Sequence, residues 1–470
     1  MKKTLFLAAL FAAVSLSSCS EELINPSTTT PAEETRQWSN HVSMEQAKKR
    51  LVNIVAEMNS QIPAGANRIA TVNESSAATM QCTPLNDKMQ PLTRAEAETD
   101  ASCYVMRLDN DMFAIMSATT DKPELLAIGN GYPNFEDSTA NLPNPNYWTL
   151  PTGGSGTIGG TGTTGTIEPF YVYKRAKPTY SPMYNGGLCK VKWGNGEPYN
   201  QMMDSVTDTW GTDTVAAAGC LALAIAQAMT IPNLRGAYYK DEVFDWDDLA
   251  GRRDKSSFNN PTARYKIAKL FQDLNNKENL ASTPGSPVTW APFGYIPRTL
   301  MNFHISNPGT LTRYDDSVYK VISVVDTVKK STPKFDLIKS ELDAGYPVLF
   351  EGSGYHIENG VEIREGGHEW LCHGMAEANT LVEVWRYSSR AAAMEGIEEP
   401  VFVMDYNETS WLLQMNWGWD GKADGYYITK FENDLNSKKG PDHEEDGVPS
   451  VPGWNNFKNG SLFFRHGIRK

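Results

Sequence analysis

Three features of the sequence predict a mixed α+β fold. Short helical patterns are set among many strand patterns, the composition is rich in turn and ring residues (37 Gly, 12 Trp, 20 Tyr), and a Gly/Thr spacer divides the chain in two. The 470 residues are 40% hydrophobic and 21% charged, which suits a folded soluble chain with a sizeable core and excludes a multi-span membrane protein. The net charge of -13 argues against nucleic acid or anionic lipid as the main partner.

The first element is an address. Lys2 and Lys3 precede an apolar run from Leu5 to Leu16, the right length for a secretory core and too short to span a bilayer. Leu16-Ser17-Ser18-Cys19 resembles the lipobox of bacterial lipoproteins, which implies a signal peptide over 1–18 and lipid on Cys19. Ser20-Glu21-Glu22 is similar to the acidic stretch that favours surface display in Bacteroidetes lipoproteins. An outer-membrane or cell-surface location, with release after processing, is the resulting expectation. The Pro/Thr/Glu-rich stretch within 19–41 reads as a tether.

Order is expected from about Val42. Ser43 and Gln46 have capping-box spacing, and Met44, Ala47, Leu51, Ile54, Val55 and Met58 recur at three and four, predicting a helix over 44–58. Cys103 to Leu108 and Met112 to Ser117 predict a hairpin, and Glu124 to Ile128 a third strand. A small α+β domain over 42–148 follows, then the flexible linker 149–168, then a larger domain over 169–470. There Cys220 to Met229 predicts a buried helix, Ala263 to Leu274 an amphipathic one, and Phe335 to Leu342 a third, ended by Gly345. Val348–Phe350, Glu369–Met375, Val401–Met404, Leu412–Asn416 and Gly425–Thr429 read as strands, and Lys438 to Trp454 as a long loop.

Cys220 opens its helix behind Gly219, where unpaired N–H groups and the positive dipole end favour a thiolate and offer half of an oxyanion hole. A packed core thiol is the plainer alternative. A thiolate needs an imidazole partner, and His368, after Gly366-Gly367 at the start of a strand, is the best placed of the seven histidines. Alternation puts His368, Trp370 and Cys372 on one face, and Glu369, Leu371 and His373 on the other. Asn416-Trp417-Gly418-Trp419 supplies an amide that can fix the imidazole tautomer and an indole that can cover that bond. With Cys19 lipidated, the other five cysteines are odd in number, and neither they nor the histidines have metal-site spacing. No cofactor motif is present in the sequence.

These pieces resemble the streptopain-like cysteine peptidases, peptidase family C10, made with an N-terminal inhibitory prodomain. The matching motifs run in order: Trp193 to Asn200, Gly219 to Gln227, Phe244 to Asp247, Pro347-Val348, Gly366 to Gly374 and Asn416 to Tyr427, with Tyr104 to Asn130 similar to the pro-region. The resemblance implies a papain-like two-lobe fold, a zymogen and protein or peptide substrates. It implies Cys220 as nucleophile, His368 as base, Asn416 as its orienting group, Trp417 as its shield and Asn195 as oxyanion donor. Asn195 stands where the family usually has Gln, one methylene longer, and Glu369 and His373 replace a usual small residue and Asp. The leading expectation is a lipid-anchored cysteine endopeptidase whose residues 42–148 cover the cleft until the linker is cut. The second is an impaired relative that acts as a surface binding or inhibitory module.

Overall fold

A computed structural model describes residues 41–61, 72–86, 91–120, 123–131, 170–181, 187–208, 211–286, 288–313, 334–358, 361–389, 392, 398–433, 445–446 and 461–470. The expected signal peptide over 1–18, Cys19, the expected tether up to residue 40, residues 132–148 and the expected linker 149–168 lie outside them.

The N-terminal unit begins with helix α1 (Met44–Ser60). Its start is fixed by a full capping box, Ser43 and Gln46 each taking the other's backbone N–H, and its apolar stripe from Ala47 to Met58 is buried. Short helices α2 (Glu74–Thr79) and α3 (Ala97–Asp100) flank four antiparallel strands, β1 (Cys82–Leu85), β2 (Cys103–Arg107), β3 (Met112–Ser117) and β4 (Leu125–Asn130). The predicted hairpin and third strand are β2, β3 and β4.

After the linker come strands β5 (Phe170–Arg175) and β6 (Thr179–Tyr180), then helices α4 (Cys220–Met229), α5 (Trp246–Gly251), α6 (Pro261–Asn275) and α7 (Ile296–Asn302). Strand β7 (Asn307–Arg313) and helix α8 (Lys334–Asp343) lead to β8 (Val348–Glu358), β9 (Val361–Tyr387), β10 (Val401–Asn416), β11 (Gly425–Asn433), β12 (Glu445–Asp446) and β13 (Ser461–Arg469). Among the described residues these form one thirteen-stranded sheet in the order β1-β2-β3-β4-β11-β10-β9-β8-β13-β7, with β12 on β11 and β5 and β6 on β9. The N-terminal unit is thus continuous with the larger one: Ala127, Ile128 and Gly129 pair with Tyr427, Tyr426 and Gly425.

Three readings change. The expected strands at Val401–Met404 and Leu412–Asn416 are one, because β9 and β11 bond across the polar residues between them. β9 runs for 27 residues rather than seven. Within the expected loop Lys438–Trp454, Glu445 and Asp446 form β12, while the rest of that stretch lies outside the described residues.

Alternation sorts the sheet's two faces. Leu349 and Leu371 pack with α4 and α6 in a helical-lobe core, whereas Val348, Phe350, Trp370 and Cys372 pack with Ile338 and Leu342 of α8. The fold is α+β of the papain-like type, and the nucleophile candidate lies where the helical lobe meets the sheet.

Candidate active site

Cys220 is the first residue of α4, whose other nine residues are all buried. Gly219 precedes it at φ 90°, a conformation open to glycine, with Thr289 and Asn275 around the space a side chain would fill. The approach to the thiol is held by hydrogen bonds from several elements. Asn200 Nδ2 donates to the Ala216 carbonyl at 3.1 Å, Thr289 Oγ1 to that of Ala217 at 2.7 Å, and Asn275 Nδ2 to that of Ala218 at 2.8 Å. Ala218 N donates to the Asn195 carbonyl at 2.9 Å, which brings Asn195 beside the segment that leads into Cys220. The Asn195 Oδ1 is buried without a hydrogen-bond partner. Such pinning positions a nucleophile before any substrate arrives.

The partner of the thiol is Glu369. Cys220 Sγ donates to Glu369 Oε2 at 2.6 Å, and no Cys220–His368 hydrogen bond is formed between these two described residues. Register explains this. His368 and Glu369 lie opposite Gly352 and Glu351 on β8, so Glu369 shares the face of Leu371 and looks toward α4, while His368 shares the face of Trp370. Burial first, then the Glu369 charge and its hydrogen bond, hold the Cys220 thiol well above the usual cysteine range. Here desolvation and the carboxylate outweigh the helix dipole.

His368 is buried, and its Nε2 lies 2.9 Å from the Trp417 carbonyl, which it meets as a donor. Its ring lies 5.0 Å from that of Trp419 and near those of Trp370 and Trp417. Burial lowers its pKa to about 4, with the Trp417 carbonyl opposing, so the imidazole is neutral.

The expectation that the Asn416 side chain orients His368 is corrected. Asn416 Oδ1 accepts from Gln227 Nε2 at 2.9 Å and from Gly418 N at 3.1 Å, and Nδ2 donates to the Val191 carbonyl at 2.8 Å. Asn416 therefore ties α4 to the sheet. It faces α4 because it pairs with Leu371 in the ladder, and the next residue's carbonyl takes the imidazole instead. The Trp417 ring is fully buried 6.3 Å from the imidazole, and its backbone N–H is held by Asp424 Oδ1 at 2.8 Å. Burial pushes the Asp424 carboxyl up to about 7, against the Trp417 N–H that lowers it.

Gly418 makes this turn at φ 75°, and a Cβ there would come within 2.5 Å of Leu223 Cδ2 on α4. Gly418→Ala is expected to cost about 2 kcal/mol or more and to displace the Trp417 carbonyl. A thermal melt falling by several degrees, with an altered near-UV tryptophan spectrum, checks this; an unchanged melt refutes it.

Sequence reasoning missed the groups beside the thiol. A cavity of about 290 Å³ adjoins Glu369, walled by Trp290, Pro292, Phe293, Leu311 and Glu351. Much of that wall comes from a turn-rich segment without periodicity, so no pattern pointed to it. His373 is structural: its Nδ1 accepts from Cys189 N at 3.3 Å, and burial lowers its pKa to about 3. Among the described residues no disulfide is formed, and no cluster of metal-ligating side chains occurs.

A thiol at the head of a buried helix, with a histidine next to its partner on the facing strand, supplies a nucleophile and a base of the types a cysteine peptidase uses, though the two are not in contact here. The model of the Peptidase C10 family matches residues 193–427, half of the chain, which contain Cys220, His368 and Asn416. The chain belongs to the peptidase C10 family. No curated protein matches it. Among solved structures it is similar to a mutant prointerpain A fragment from Prevotella intermedia, 16% identical over 83% of this chain and 99% of that one, with a TM-score of 0.45. It is also similar to active wild-type interpain A cysteine protease from the same organism, 18% identical over 60% of this chain and 94% of that one, with a TM-score of 0.36.

Proposed function

We propose that the protein is a cysteine endopeptidase made as a lipid-anchored precursor, in which Cys220 attacks the peptide carbonyl and His368 is its base. The observation that carries the reading is the hydrogen bond between Cys220 and the residue next to His368. Glu369 holds the thiol proton on one face of β9 and His368 lies on the other, so in this reading activation rearranges the strand end that carries both. In this scheme the Sγ proton passes to His368 as the C–S bond forms, and His368 returns it to the leaving amine. Water then cleaves the acyl-enzyme with His368 as base. Asn195, on the loop bonded to Ala218, and the backbone N–H groups at the head of α4 are the oxyanion donors.

The arrangement described above is the latent one: both groups are neutral and each is engaged elsewhere. The N-terminal unit supports latency from the sheet side. Asn130 accepts from Ala423 N at 2.6 Å and donates through its own N to the Asp424 carbonyl at 2.9 Å, which fixes the loop that carries the Trp417 carbonyl. Among the described residues, none that lines the cavity beside Glu369 comes from this unit. Its described part thus acts on the loop beneath His368 rather than as a plug over that cavity. Anchoring through lipid on Cys19 and display at the cell surface complete the reading, with protein or peptide substrates and the N-terminal unit as the partner in cis.

The Cys220–Glu369 bond also favours the second reading, an impaired peptidase kept as a binding or inhibitory module. Intact-mass analysis separates the two. Wild type and Cys220→Ala are incubated in reducing buffer, then with a peptidyl epoxide, and again after the linker is trimmed by added protease. Self-cleavage between residues 149 and 170 and a single adduct on Cys220, both confined to wild type, are the expected results. A thiol still inert after trimming establishes the second reading. Lipidation is checked separately by a diacylglyceryl-sized mass gain lost in Cys19→Ala.

A further inference from the structure

One backbone carbonyl holds the imidazole, and its direction is set from both sides. The Trp417 carbonyl meets His368 Nε2 at 2.9 Å. Because peptide groups are planar, a carbonyl points where the two planes that meet at its Cα direct it. The plane after Trp417 is pinned by Gly418 N, which donates to Asn416 Oδ1 at 3.1 Å, and that amide is itself held by Gln227 Nε2 of α4 at 2.9 Å. The plane before Trp417 is pinned by Trp417 N, which donates to Asp424 Oδ1 at 2.8 Å. One clamp is thus a neutral amide, the other a carboxyl.

Asp424 is itself firmly placed. It is buried, its carbonyl accepts from Asn130 N at 2.9 Å and Nδ2 at 3.1 Å, and the Ala423 carbonyl before it takes the Tyr427 hydroxyl. An Asn could close the same loop without the cost of burying an acid, so the acid itself needs a reason. Burial pushes its pKa up to about 7, opposed by the Trp417 N–H and by Lys192. Among the described residues its other titratable neighbours are Cys189 and Tyr427, both kept uncharged by burial. On its own loop Lys422 and Asp420 are exposed, with Asp420 bonded to Lys255 at 3.2 Å, and from β4 the uncharged Gly129 and Asn130 reach it.

We propose that Asp424 is a positioning residue for His368: by gripping the backbone of Trp417 it aims that residue's carbonyl at Nε2, which keeps the imidazole proton on Nε2 and leaves Nδ1 as the nitrogen that takes a proton. The catalytic consequence rests on the peptidase reading above; the inference adds to it the group that stands behind the base. This support belongs to the Trp417 loop rather than to β9, so the imidazole is held from outside the strand that carries it. When the Sγ proton passes to Nδ1, the imidazolium keeps its Nε2–H on the carbonyl. The proton then leaves from Nδ1 with the amine, so no reagent beyond enzyme and peptide is required. A hydrogen bond to an ionised acid is roughly twice as strong as one to a neutral group. The grip on Trp417 therefore tightens as pH rises through the titration of Asp424 and slackens below it.

The test begins on the uncut chain, with His368 observed by magnetic resonance. Trp417 is the only tryptophan preceded by asparagine, so carbonyl-13C asparagine with 15N tryptophan isolates its amide signal. Spectra of 15N-histidine in wild type and His368→Gln identify the imidazole. Between pH 5 and 9 the Trp417 amide and the His368 Nε2–H signals are expected to move together in wild type, with a midpoint of about 7, and to stay still in Asp424→Asn. His368, with a pKa of about 4, remains neutral over this range, so its shift reports Asp424 and not its own titration. Asn keeps an acceptor oxygen and the side-chain shape, and a merely loop-closing role would leave His368 alike in both. After the linker is cut, Asp424→Asn is expected to lower kcat at pH 8 about fivefold and Asp424→Ala about tenfold or more, with KM little changed and the rise of kcat across pH 7 lost in both. A Trp417 amide that titrates while His368 stays still, the same His368 response in Asp424→Asn, or a kcat unchanged in both variants overturns the positioning role and leaves the peptidase standing. Coupled signals in a chain whose thiol is inert after trimming overturn the peptidase reading and leave Asp424 as the group that sets the imidazole.

Discussion

Glu369→Gln is expected to raise the reactivity of Cys220 toward iodoacetamide at pH 7 by about tenfold or more, measured on the uncut chain. In wild type the thiol is stabilised over the thiolate by burial and then by the Glu369 carboxylate, which both repels a sulfur anion and accepts the thiol hydrogen bond. Gln keeps the shape and removes the charge. Each unit by which a thiol pKa falls toward neutral pH gives tenfold more thiolate, the species that reacts. The sign over pH follows from the same groups. Because the Cys220 pKa is raised and His368, with a pKa of about 4, supplies no cation near neutrality, the wild-type alkylation rate should stay low through pH 4 to 8. It should climb only above the ordinary thiol range. In the variant the rise moves to lower pH. A high plateau in wild type between pH 4 and 8, at a rate expected of a thiolate, would mean that a thiolate–imidazolium pair already exists, and would sink this account.

The second large effect concerns stability. Arg175 on β5 makes a two-pronged bond to Glu408 on β10, with Nη2 to Oε2 at 2.7 Å, and gives its Nε to the Thr120 carbonyl at 2.7 Å. The side chains are only 1% and 3% exposed. One guanidinium thereby joins three parts: the N-terminal unit, the segment just past the linker, and the central sheet. Arg175→Met is expected to cost about 3–5 kcal/mol, because it strands a buried carboxylate. Arg175→Met with Glu408→Leu should recover most of that loss, since a neutral pair leaves no charge behind. Urea melts of the two variants decide it. A loss below about 1 kcal/mol in the single variant would show that Glu408 finds another partner or a proton.

Much of the fold was legible because local signals agreed with packing. The capping box of Ser43 and Gln46 starts α1 where the sequence placed it, and the apolar run from Leu221 to Met229 is the buried helix it looked like. Strand length was not legible. Glu377 to Thr380 in β9 and Asp405 to Ser410 in β10 are largely polar, and they stay extended because the ladder between β9 and β10 runs through both, with β6 and β11 bonding part of their outer sides. At the site, alternation placed His368 and Glu369 on opposite faces, yet which face meets α4 depends on how the lobes dock. The sequence pattern favoured the histidine; the packing of Leu371 against the α4 core gives that place to Glu369. Asn416 was found as part of a motif, but whether its amide or the next carbonyl meets the imidazole is decided by its pairing with Leu371, which turns the amide toward α4. The cavity wall from Trp290 to Phe293 had no periodicity to read.

The pairing of β4 with β11 gives the N-terminal unit a second meaning. Cutting the chain between residues 131 and 170 breaks none of the bonds from Ala127, Ile128 and Gly129 to Tyr427, Tyr426 and Gly425, nor the shared core around Tyr104, Ile128, Leu412 and Tyr426. Scission and departure are therefore separate events, and the slower one sets any lag. When the unit does leave, half of the β11 rim is bare, the other half being guarded by β12 through Lys430 and Phe431. A naked strand rim is a template for any extended chain, including a second copy of this protein. In the proposed precursor, the unit that holds the site latent would also be the stopper that keeps the sheet from growing, and its loss would make solubility a question of concentration.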